Sequence, residues 1–145
     1  MIKEERQIMK QPTLEEIIKN VMDKMLFGLN ELLGELKEQY NGLKIVSVEE
    51  TGVGFYVDFE TENNTVKALD EKVFLQKFQI GDVYGNVEGI IDAVGFILFV
   101  KDGFITMLEA YTNGIDSWPD DNDIELIYDS GKERNIEALK KRIMQ

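Results

Sequence analysis

The dipeptide Asp102-Gly103, set between the apolar runs VGFILFV (94–100) and FITMLEAY (104–111), constrains this chain more than any other feature. A type I′ turn needs positive φ at both central residues, and Asp-Gly between β-rich runs is a strong signal for it, so an antiparallel hairpin is predicted. A regular register pairs Lys101 with Phe104, Leu98 with Met107 and Phe96 with Glu109. Met107, Glu109 and Tyr111 then share the face of Phe96 and Leu98, while Ile97, Phe99, Leu108 and Ala110 share the other. Both faces are mainly apolar, which predicts a hairpin covered on both sides. A carboxylate enclosed as Glu109 would be needs a cationic partner or must take up a proton. Enzymes prepare general acids in that way, but an ion pair to a terminal helix, or an edge position reaching water, leaves the same signature.

Around the hairpin the hydrophobic period changes twice. Residues 13–40 repeat apolar side chains at helical steps (Leu14, Ile17, Ile18, Val21, Met25, Leu29, Leu32, Leu36, Tyr40), with Thr13 and Glu16 forming a capping box and Gly42 beyond the end. One long helix is predicted, roughly 42 Å if straight, with a bend at Gly28 or Gly34 or an overhang as the alternatives. Alternation then takes over in LKIVSVEE and VGFYVDFET, a second hairpin. KVFLQKFQI follows, placing Val73, Leu75 and Ile80 toward the core; GDV reads as a turn, and DIELIYD closes the sheet. A short helix over about 132–144 carries Ile136, Leu139 and Ile143 on one face. The architecture expected is α+β: a long N-terminal helix, a mainly antiparallel sheet of about six strands and a short C-terminal helix. It is one domain over 13–145, preceded by a flexible N-terminus, 1–12.

Composition removes several chemistries. Histidine and cysteine are both absent, so Ser-His and Cys-His arrangements, disulfides and thiolate metal sites are excluded. The longest apolar run is strand-sized, too short to cross a bilayer as a helix, and the mixed-charge N-terminus is not a secretory signal. A cytoplasmic protein is the reading that follows. Net charge is −12, the wrong sign for nucleic acid or anionic lipid, and a good one for a basic protein partner. From Asp102 to Asp129 there are eight carboxylates and no Lys or Arg, whereas Lys132, Arg134, Lys140, Lys141 and Arg142 give the tail a positive balance.

No cofactor or metal motif emerges. Counted from Asp116, the sixth and twelfth positions of a calcium loop are Asp121 and Ile127, so the EF-hand pattern fails. TGVGFYV and GDVYGNVEG lack the Gly-Lys-Ser/Thr and strand-to-helix context of phosphate loops and read as turns or close backbone contacts. What remains for catalysis is carboxylates, with Glu88, Asp92 and Glu109 near strands, and acidic residues are common enough here that their nearness means little. Trp118 either pins the loop after Tyr111 or anchors a protein contact.

The block GFILFVKDGFITMLEAYTNGIDSWP resembles a signature of small bacterial proteins: an apolar strand, Asp-Gly, a strand ending Leu-Glu-x-Tyr and a loop ending Trp-Pro, carried here by Asp102, Gly103, Leu108, Glu109, Tyr111, Trp118 and Pro119. Some such proteins look like the immunity partners of bacterial toxins. The resemblance implies a binding role and assigns no catalytic residue. The leading reading is a non-enzymatic, immunity-like module engaging a basic protein through Glu109, Tyr111, Asp116, Trp118, Asp120, Asp121 and Asp123. The alternatives are a homodimeric structural protein using the stripe of helix 13–40, and a carboxylate-based hydrolase.

Overall fold

The computed structural model describes residues 12–62, 65–119 and 123–144. Nearly all of the predicted flexible segment 1–12 lies outside them, as do Asp120 and Asp121. Among the described residues the architecture is α+β: three helices, α1 (Leu14–Met25), α2 (Glu31–Asn41) and α3 (Ile136–Ile143), and a six-stranded antiparallel sheet. The strands are β1 (Leu43–Glu50), β2 (Gly54–Thr61), β3 (Phe78–Asn86), β4 (Val94–Lys101), β5 (Phe104–Tyr111) and β6 (Glu125–Tyr128), in the order β1-β2-β5-β4-β3-β6.

The single long helix is the first correction. The capping box forms as expected, with Thr13 Oγ1 accepting from Glu16 N at 3.2 Å and Glu16 Oε1 accepting from Thr13 N at 2.9 Å. The helix then stops at Met25, and Gly28 adopts φ +135°, a conformation that side chains rarely permit. Asn30 starts a new helix by accepting from Leu32 N and Leu33 N at 2.9 and 3.3 Å. The break changes the phase of the stripe, so Leu33 is buried while Leu29 is fully exposed. Ile17, Ile18, Val21 and Met25 of α1 and Leu33 and Leu36 of α2 all enter the core shared with the sheet. Of the stripe expected to serve a homodimer, Ile17, Ile18, Val21, Met25 and Leu36 are buried in the chain's own core, and Leu29 is left exposed.

The second correction concerns β3. GDV is not a turn; the strand continues through it with one extra residue between Ile80 and Val83. Val73 and Leu75, expected inside, are 59% and 41% exposed. At this bulge Asp82 is held by Arg134 through two bonds, Nε to Oδ2 at 2.8 Å and Nη2 to Oδ1 at 2.7 Å, both side chains being only 2% exposed. Gln39 of α2 fixes the helices to the hairpin turn: its amide donates to the Gly103 carbonyl at 2.8 Å and its Oε1 accepts from Ile105 N at 2.6 Å.

The third correction is the hairpin register. Asp102 and Gly103 take φ +53° and +80°, and Lys101 pairs with Phe104 as predicted. Thr106 is then an extra residue, so Phe99 faces Met107, Ile97 faces Glu109 and Phe96 faces Ala110. Beyond Thr106 every side chain of β5 is on the face opposite to the one expected. The physical reason is burial. Ile105 and Leu108, three residues apart, cannot share a face of a regular strand, and the bulge lets both reach the core, each at most 1% exposed. Nor is the hairpin covered on both sides: Phe96, Leu98, Leu108 and Ala110 are buried, whereas Ile97, Phe99, Met107 and Glu109 are half-buried.

Candidate functional site

Strand alternation builds the uncovered face in three rows. Asp58, Met107, Phe99 and Gln79 form one; Tyr56, Glu109 and Ile97 the next; Gly54, Tyr111, Gly95, Tyr84 and Ile127 the third. Solvent-facing strand positions in antiparallel sheets are ordinarily polar. Here the middle is apolar, with Ile97, Phe99 and Met107, and three phenols and two carboxylates surround it. Gly95 is needed for this: the Tyr111 ring lies over it, in the space a Cβ would occupy.

The electrostatics follow from these rows. The Glu109 carboxylate faces Tyr56 and raises its phenol above the usual value, first by charge, with smaller contributions from burial, a hydrogen bond to Glu109 and the charge of Glu49. Tyr111 is also raised, chiefly by burial, then by the neighbouring Tyr84 and by Glu109. Two depressions border the face. One, of about 500 Å³, lies between Asp58, Lys77, Gln79, Phe99 and Met107. The other, of about 430 Å³, lies between Gln79, Gly81, Ile97, Tyr111 and the α3 residues Leu139 and Arg142.

Of the seven residues proposed from sequence, the five described ones are divided between the sheet and the loop that follows it. Glu109 and Tyr111 stand on the uncovered face. Asp116 closes a small turn in which Asn113 Oδ1 accepts from Ile115 N and Asp116 N, and Asn113 Nδ2 donates to its carboxylate at 3.0 Å. Trp118 points inward: its ring meets Phe55 and Phe96 edge-on with centroids 5.2 and 6.2 Å away, and its backbone N–H donates to Gly52 O at 2.7 Å. Its Nε1 is buried without a hydrogen-bond partner. Asp123 is exposed beside β6. The acidic stretch also receives a cation from the tail, Arg142 pairing with Asp129 at 2.7 Å. Asp120 and Asp121, at the centre of the acidic stretch, lie outside the described residues.

Glu88 and Asp92 line a groove of about 410 Å³ in the β3–β4 connection, together with Asp123 and Glu125, whereas Glu109 stands mid-strand between Tyr56 and Ile97. Among the described residues no three carboxylates are grouped so as to hold a metal ion, and no helix is long and apolar enough to cross a membrane. Ile97, Phe99 and Met107 were missed as a surface because the regular register puts Met107 on the face opposite to Ile97 and Phe99, with both faces covered. The three-residue step from Ile105 to Leu108 was the signal that could have found them. No protein-family model, curated protein sequence or solved structure matches this chain.

Proposed function

We propose that this chain is a non-enzymatic, immunity-like binding module of the bacterial cytoplasm that engages a basic protein partner with the open face of its sheet. The observation carrying this reading is the strip of Ile97, Phe99 and Met107, half-exposed on a sheet whose opposite face is core. A polar rim around an apolar, aromatic centre is the common anatomy of protein interfaces. Glu109, Asp58 and Glu49 supply the negative charge a basic partner would meet, and the net charge of −12 adds long-range attraction. The resemblance of residues 95–119 to small bacterial proteins, some of them immunity-like, points the same way.

The test is titration with the products of neighbouring genes, toxins first, read by NMR chemical shifts of the labelled chain. The expected result is a complex whose shifts centre on Ile97, Phe99, Met107 and Tyr111. Phe99→Glu should weaken it at least roughly tenfold, while Trp118→Phe leaves affinity unchanged. Shifts confined to 113–125, or no complex with any neighbouring product, would overturn the proposal.

A further inference from the structure

The helical side of the molecule carries a second surface, a groove with lysines at its rim. Where α1 breaks from α2, Phe27 is 61% exposed and Leu29 as exposed as in an extended chain. They border a groove of about 620 Å³ with Gly28, Ile136, Lys37 and Lys132. Lone exposed apolar residues are ordinary; two at one loop, opening onto an apolar groove, are not. The loop is held firmly: Arg134 Nη1 donates to the Phe27 carbonyl at 2.8 Å while its other nitrogens grip Asp82. The turn at Gly28 brings Ile136 and Leu33 against the backbone, so the groove floor is also packed.

Charge decides what fits. Lys37 and Lys132 line the groove, and Lys24 lies in the adjoining depression beside Phe27 and Lys132, where the one carboxylate, Asp23, pairs with Lys19 at 3.1 Å. Among the described residues none of these three lysines is in an ion pair. Glu133 is the one carboxylate lining the groove. Whole bodies of negative charge, a second copy at net −12 or an anionic lipid surface, are repelled by the rest of the molecule, whereas a short segment brings few charges and is met chiefly by the lysines of this groove. The groove attracts a short acidic segment bearing an apolar side chain. We infer that this groove is a docking site for an acidic, apolar-anchored segment of another protein, with Phe27, Leu29 and Ile136 receiving the anchor and Lys37 and Lys132 the carboxylates.

This surface is independent of the sheet face, and so is its test. A random dodecapeptide library is panned on the wild-type chain and counter-selected on Leu29→Asp, a change at a fully exposed position, once circular dichroism has checked that the variant is folded. Enrichment of sequences combining Asp or Glu with Leu, Ile or Phe is expected. The consensus peptide should bind roughly tenfold more weakly to Lys37→Glu/Lys132→Glu, and more weakly as salt rises. Enrichment of basic or uncharged peptides, or equal recovery on Leu29→Asp, overturns the inference. So does preferential binding to phosphatidylserine vesicles, or a Leu29-dependent dimer in sedimentation of the chain alone.

Discussion

Arg134 shows how much of this molecule depends on one side chain. Its guanidinium grips Asp82 in the β3 bulge, donates to the carbonyl of Phe27 just past α1, and stacks on Tyr128 with 4.9 Å to the ring centroid. Three distant segments are joined in a site that excludes water. Removing one member of a buried pair strands the other, so Arg134→Ala or Asp82→Ala should cost roughly 3–5 kcal/mol. Arg134→Lys should recover little, because an ammonium cannot reproduce the two-pronged geometry. Replacing both, as Asp82→Leu with Arg134→Met, should cost less than either single change. Urea denaturation measures all four; a single variant within about 1 kcal/mol of wild type would deny the pair its role. In the sequence Arg134 is one cation of a positive tail and Asp82 sits in what reads as a turn. A pair 52 residues apart has no local signature.

At the scale of elements, helix identity and strand identity were legible, while breaks and bulges were not. Asn30 and Gly28 carried the break in α1 openly, as a good N-cap and a residue at ease with φ +135°; the apolar stripe running past them argued for continuity, and it lost because both helices fit the core only after a change of direction. The bulges at Thr106 and between Ile80 and Val83 obey one rule, that core residues three apart in a strand require an extra residue between them. A third bulge, at Val46, lies in β1, an edge strand exposed along most of its length, where an irregularity discourages pairing with another chain. The rule has a test. Deleting Thr106 should leave Leu108 and Ala110 inward and Glu109 opposite Tyr56, because the remaining strand alternates correctly. Tyr56 should then keep its elevated titration, followed by absorbance near 295 nm. A Tyr56 that titrates like a free phenol after the deletion would mean that the bulge, not core burial, sets the register.

For the molecule as a whole, the phenols link sheet, helices and pH. Tyr40, Tyr111 and Tyr128 are raised above the usual value chiefly by burial, and Tyr56 chiefly by the charge of Glu109. A raised phenol releases its proton later in the folded chain than in the unfolded one. The stability these groups contribute is therefore complete below about pH 10 and lost as pH rises through the folded values. The urea midpoint should fall steeply above that pH, with the absorbance titration of these tyrosines displaced to higher pH; phenols titrating together at the ordinary value would contradict it. At the acid end Glu16 acts in the opposite sense. Its carboxyl is lowered by the hydrogen bonds to Thr13, so its contribution is present above the usual carboxylate range and lost as pH falls through the depressed value. The sequence by itself determined what local chemistry decides: the capping box at Thr13, the Asp-Gly turn, the alternating strands, the α+β class and the absence of histidine and cysteine chemistry. Only the tertiary structure decided which way Glu109 and Trp118 face, where the first helix ends, and which face of the sheet stays open. Each of those is settled by how several apolar segments share one core, and a single residue inserted in a strand reverses every side chain that follows it.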